Sequence, residues 1–180
     1  MSSASRLNSD QSLAEFLDRG EAVTLPEAVE IARQLAAAVA LMHRSGRTHG
    51  TIVPAAVRLD AQRRATLEPP EMAGRGSRAP ADREWVPPEL RQSVPARLIA
   101  RFEGAASTGE QVLPPRPDSS GEIEVDPRRS DVYALGAIFC RLVTGKSADA
   151  FLRSPRVKGC VPEPLQTLFE RSLGAGSAER

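Results

Sequence analysis

His49-Gly50-Thr51-Ile52-Val53-Pro54-Ala55-Ala56-Val57-Arg58-Leu59 is the stretch on which the fold turns. Ile52, Val57 and Leu59 alternate with smaller or polar residues, the period of short, half-buried extended segments. Ala65-Thr66-Leu67 follows close enough to pair back on Val57-Arg58-Leu59 as a hairpin. Residues 48–70 therefore read as short strands and turns.

Helices are expected on both sides. Upstream, Thr24-Leu25-Pro26-Glu27 spells a capping box: the Thr hydroxyl accepts from the Glu N–H, the Glu carboxylate reaches back, and Pro is tolerated in a first turn. The helix it opens runs to about His43, with Ile31, Leu35, Ala38, Val39 and Met42 on one stripe and Gly46 as terminator. Ser12 to Arg19 is a shorter helix, with Leu13, Phe16 and Leu17 at i, i+3, i+4. Residues 1–10 are polar and are expected to be a disordered tail.

Downstream, residues 69–84 carry Pro, Gly and charge and read as loop. Pro87-Pro88-Glu89-Leu90 opens a more ordered piece. Residues 103–129, with Gly, Ser, Pro and charge and little apolar periodicity, are expected to form a mobile insertion. Ser130 is expected to cap a helix to about Thr144. Val132, Leu135, Ile138, Phe139, Leu142 and Val143 give that helix apolar residues on more than one side, so it should be buried, and Gly145 ends it. Pro164 to Leu173 is a last amphipathic helix, with Leu165, Leu168, Phe169 and Leu173 expected inward.

Composition narrows the classes. The chain has 180 residues, enough for one domain with a real core, and 41% of them are hydrophobic, which argues against wholesale disorder. A formal net charge of +1 with mixed signs gives no footprint for nucleic acid or an anionic membrane. No run approaches the roughly 20 apolar residues of a membrane span, and the polar N-terminus is no signal peptide. Cys140 and Cys160 lie in no metal-ligand spacing and read as free thiols in a reducing compartment. A cytoplasmic protein is expected, and the Ala-, Arg- and Pro-rich usage has a bacterial look.

The pieces, in this order, resemble the C-terminal lobe of the Ser/Thr protein kinases in their bacterial form. His49–Leu59 resembles the catalytic-loop segment H-R-D-L-K-P-x-N-I-L-L, and Met42-His43-Arg44-Ser45-Gly46 resembles its L-H-x-x-G lead-in. Trp85-Val86-Pro87-Pro88-Glu89 resembles Y-x-A-P-E, which closes the activation segment. Asp126 to Gly136 resembles D-x-x-S-D-I-Y-S-L-G, and Leu142-Val143-Thr144-Gly145-Lys146 resembles L-L-T-G-K/R, at the two ends of the central helix. Leu173 to Arg180 resembles L-x-x-D-P-x-x-R. The resemblance implies a mainly α fold, helices around a buried central helix, with a small β-hairpin at the former catalytic loop. One domain would span residues 11–180.

The same alignment removes the chemistry. Thr51 stands at the catalytic Asp, Val53 at the Lys, Ala56 at the Mg-binding Asn, and Pro69, in Leu67-Glu68-Pro69-Pro70-Glu71, at the Asp of D-F-G. Gly50 replaces the Arg that clamps a phosphorylated activation loop. The N-terminal lobe, which supplies the Gly-rich loop, strand Lys and helix Glu, has no counterpart in the residues before Ser12. The resemblance therefore implies a pseudokinase: no catalytic residue, no cofactor or metal, no nucleotide binding, and a protein partner for an interaction or regulatory scaffold. The alternative is a truncated or decayed Ser/Thr kinase domain. The residues expected to persist are structural: His49 packed under the loop, Asp131 accepting backbone N–H groups near His49 and Gly50, and a Glu89–Arg180 ion pair.

Three other features read as structural. His43 sits at a helix end, where a cation suits the dipole. Thr144-Gly145-Lys146-Ser147 imitates the end of a phosphate-binding loop, but Cys140 stands where that loop needs Gly, and a helix precedes it instead of a strand. Trp85 is expected in core or loop packing.

Overall fold

The computed structural model describes residues 11–70, 80–91 and 126–174. The expected tail at 1–10, residues 103–125 of the expected insertion, and Arg180 lie outside them. The described residues are mainly helical, with one small antiparallel sheet.

The first helix, α1 (Leu13–Asp18), starts from a complete capping box: Ser12 accepts from the Glu15 N–H, and the Glu15 carboxylate accepts from the Ser12 N–H. Ser12-x-x-Glu15 is legible in the sequence as such a box. The second, α2 (Leu25–Arg44), has the Thr24–Glu27 box expected of it and buries Ala28, Ile31, Leu35 and Val39. It stops where Gly46 takes φ +75°, a left-handed conformation in which the Arg47 N–H bonds back to the Met42 carbonyl.

The expected hairpin forms. Strand β2 (Val57–Leu59) pairs antiparallel with β3 (Ala65–Leu67), Val57 opposite Leu67 and Leu59 opposite Ala65. A third strand adds to it: β1 (Gln11–Ser12) pairs with the other edge of β2, so the order is β1-β2-β3. Two residues are too short for any periodic signal, and β1 forms because α1 packs on the loop and strand beside it. The turn between β2 and β3 is closed by Asp60, whose carboxylate accepts from the N–H groups of Gln62 and Arg64.

Residues Pro80–Trp85 form a 3-10 turn inside the stretch read as loop, and α3 (Pro88–Arg91) follows as one short helical turn. The central helix, α4 (Pro127–Thr144), begins earlier than expected. Its cap is Asp126, accepting from the Arg128 N–H, with Pro127 at the first position; Ser130 lies inside the helix. Residues 126–129 thus belong to the helix, not to the insertion, because Asp-Pro is itself a helix start. Gly145, at φ +66°, closes α4 with its N–H on the Arg141 carbonyl. Two short helices, α5 (Ala148–Arg153) and α6 (Pro155–Gly159), follow, each too short for a helical period to show, and α7 (Glu163–Leu173) ends the described chain.

Both α2 and α7 pack against α4. Tyr133, Ala137, Ile138 and Cys140 of α4 are almost wholly buried. Phe169 of α7 meets Phe139 and Phe151 edge-on, each pair of ring centroids 5.2 Å apart. On α4 and α7 two large apolar residues do not go inward: Leu168 is 45% exposed and Val132 37%. Leu165 is half-buried at the same edge. The α4–α7 crossing is close because Gly136 faces Ser172. A Cβ on Gly136 would lie 2.7 Å from the Ser172 Cβ. Gly136→Ala is expected to destabilise the fold by about 1–3 kcal/mol through overpacking. Urea denaturation checks it, and Ser172→Gly should recover part of the loss in the double variant.

Candidate functional site

The loop quoted at the outset is built around one carboxylate. Asp131, in the second turn of α4, is 1% exposed. Its Oδ1 accepts from the Gly50 N–H at 2.7 Å and its Oδ2 from the His49 N–H at 2.9 Å. His43 Nε2, at the C-terminal end of α2, lies 2.8 Å from the same Oδ2. A carboxylate only accepts, so the His43 proton sits on Nε2. The sequence pointed to the backbone contacts of Asp131. It missed that His43, read only as a helix-end cation, is the side-chain partner: residues 88 apart in sequence carry no local signal of contact.

His49 is 4% exposed and uses both ring nitrogens. Nε2 lies 2.7 Å from the Glu68 carbonyl oxygen, which can only accept, so Nε2 carries the hydrogen. Nδ1 is left as an acceptor for the Thr51 N–H at 3.4 Å. The Thr51 hydroxyl is 3.5 Å from the same nitrogen. Through its ring His49 ties the loop to the end of β3. Gly50 takes φ +75°, the left-handed region that turns the chain so that two successive N–H groups reach Asp131.

Beyond Gly50 the side chains offer little chemistry. Thr51 is exposed, Val53 half-buried and Ala56 buried in the 3-10 turn Pro54–Ala56. Pro69 is exposed just after Glu68. The Glu68 carboxylate, the acid nearest in sequence to this end of β3, is held by Arg58 at 2.6 Å. Among the described residues no cluster of three or more His, Cys, Asp or Glu could hold a metal ion. The thiol of Cys140 is pushed up to about 11 by burial, and Cys160 is an exposed free thiol.

The expected Glu89–Arg180 pair falls partly outside the described residues; Glu89 itself lies half-buried in α3. Two positions on, Arg91 ties α3 to the body of the protein. Its Nε donates to the Val86 carbonyl at 2.7 Å, one terminal nitrogen lies 2.7 Å from Asp149 of α5, and the other donates to the Tyr133 hydroxyl at 2.8 Å. Burial pushes Tyr133 up to about 12, with Arg91 pulling the other way, so the hydroxyl stays protonated at neutral pH. Trp85 packs against the edge of the core. The imitation phosphate loop is a helix junction: Gly145 closes α4 and Ser147 caps α5.

No protein-family model matches the chain, and no curated protein is significantly similar to it. Among the described residues no helix is long and apolar enough to cross a membrane.

Removing the Asp131 carboxylate leaves the buried His49 N–H, the part-buried Gly50 N–H and the His43 ring without their acceptor. Asp131→Ala is expected to cost about 3–5 kcal/mol, since hydrogen bonds to a charged group are worth about 1.5–3 kcal/mol each and are not additive. Asp131→Asn, which fills the same space and keeps one oxygen acceptor, should cost less. Equilibrium denaturation ranks the two, and equal losses would mean that one neutral oxygen is no better than none and that the charge itself is needed.

Proposed function

We propose that this chain is a non-catalytic, protein-kinase-like module: a pseudokinase C-terminal lobe acting as an interaction or regulatory scaffold. One observation carries the reading. Asp131, His43 and His49 hold the His49–Leu59 loop in a defined conformation, while Thr51, Val53 and Ala56 give that loop no carboxylate, cation or amide. Phosphoryl transfer is nearly all positioning and charge neutralisation, and it needs metal ligands for the phosphates and a carboxylate to orient the nucleophile. A loop kept in shape without those groups fits a role in presenting surface. The motif order from Met42 to Gly145 supports the kinase-like part of the proposal, and the helical body around α4 is compatible with it. Fold analogy supports the class and not an activity.

The purified chain is expected to transfer no labelled phosphate to itself or to a generic protein substrate with Mg or Mn. Mg-ATP is expected to leave its melting temperature unchanged, since a ligand that binds the native state must raise it. Phosphate transfer abolished by Thr51→Ala, or a saturable shift at micromolar nucleotide, would overturn the proposal.

A further inference from the structure

A cleft of about 520 Å³ runs between α2, α4 and α7. Leu135, Phe139 and Leu165 form part of its floor, and the exposed side chains of Val29, Val132 and Leu168 stand along its lips. Ala32, Ala36 and Ala40 keep the α2 wall low. Along α2 the cleft extends from Val29 to His43, about 21 Å at the helical rise of 1.5 Å per residue, which is about four turns of a second helix.

Charge decides what fits there. Among the described residues no acidic side chain lines the cleft; its charged or titratable members are Arg33 and His43. Arg33 is answered by Glu30, at 2.7 and 2.8 Å. The helical period puts four more arginines one turn from lining residues: Arg44 after Ala40, Arg128 and Arg129 before Val132, and Arg171 after Leu168. The first three gather at the end of the cleft where His43 meets Asp131. None of these four forms an ion pair with a described residue. The result is an apolar trough with a cationic end.

We propose that this cleft receives an amphipathic helix of a protein partner, with a leucine-rich face in the trough and acidic residues beside that face that meet the arginines. Helix-in-groove binding supplies the mode: anchors at i, i+3/i+4 and i+7 bury against the floor, and flanking charges steer and orient. A second copy meeting the same face across a two-fold axis would bring no acidic lining residue of its own to those arginines. A flat anionic bilayer would meet the arginines but could not enter the trough. The inference stands on the cleft alone and does not depend on the kinase-like reading.

The test uses the full chain and a fluorescein-labelled, helix-favouring peptide of about 16 residues, with leucines on one face and glutamates on its flanks. Binding is read by anisotropy. The glutamate peptide is expected to bind at least about tenfold more tightly than its lysine-flanked counterpart, and added salt should weaken it. Leu168→Glu and Val132→Glu, at exposed positions that leave the core intact, should abolish binding. Arg129→Glu with Arg171→Glu should reverse the preference between the two peptides. The proposal fails if the glutamate peptide does not bind, if both peptides bind equally, or if Leu168→Glu leaves binding unchanged while circular dichroism shows a native fold. It also fails if sedimentation shows a dimer that Leu168→Glu dissociates, or if anionic vesicles capture the chain and Leu168→Glu releases it.

Discussion

A buried carboxylate must be surrounded by donors, and those of Asp131 come from the end of α2 and the loop just after it, more than 80 positions away in sequence. An ion 1% exposed has given up its hydration, and only hydrogen bonds to its charge offset that loss. Two come from the backbone of His49 and Gly50 and one from the ring of His43. The end of α2, the loop after it and the second turn of α4 are therefore placed by one another. His49 carries the constraint a step further, through its ring to the carbonyl of Glu68, and so fixes where the hairpin leaves the core. Loss of the carboxylate would leave the buried His49 N–H unanswered.

The rest of the body is arranged along α4. Close approach at Gly136 and Ser172 sets the crossing with α7, and the edge-on rings of Phe139, Phe151 and Phe169 fill the space below it. Arg91 does for α3 what Asp131 does for the loop. A single planar cation answers two carbonyls, a phenol and a carboxylate, linking a short segment to α4 and α5. A polar framework of this kind holds shape without performing chemistry. That is the physical content of the proposal that the chain presents surface instead of transferring phosphate, and the cationic cleft is the part of that surface with the most defined character.

Much of this was legible locally. The Thr24–Glu27 box, the stripe on α2, the hairpin and the stop at Gly145 all depend on residues within a few positions of one another, where periodicity and capping chemistry act directly. The missing pieces also have local explanations. The box at Ser12–Glu15 and the helix start at Asp126-Pro127 are spelled in the chain, and Ser130, directly before the apolar run, is a competing cap for the second. Helices α5 and α6 have six and five residues, too few for a period to emerge. Strand β1 has two, and exists only because β2 offers it an edge.

The sequence by itself determined where the longer helices and the hairpin lie, that the loop after α2 carries Thr, Val and Ala at 51, 53 and 56, and, through the motif resemblance, that Asp131 belongs with that loop. Tertiary structure alone decided what depends on the meeting of distant residues. His43 became the partner of Asp131, Arg91 the link between α3 and α4, and Gly136 the point of closest helix contact. Leu168 and Val132 were left in solvent, although their apolar character alone argued for burial. The reason is geometric. A helical period says which side chains share a face, but whether that face is covered depends on where neighbouring helices cross, and the crossing of α4 and α7 is set by a glycine that leaves no mark on the apolar pattern.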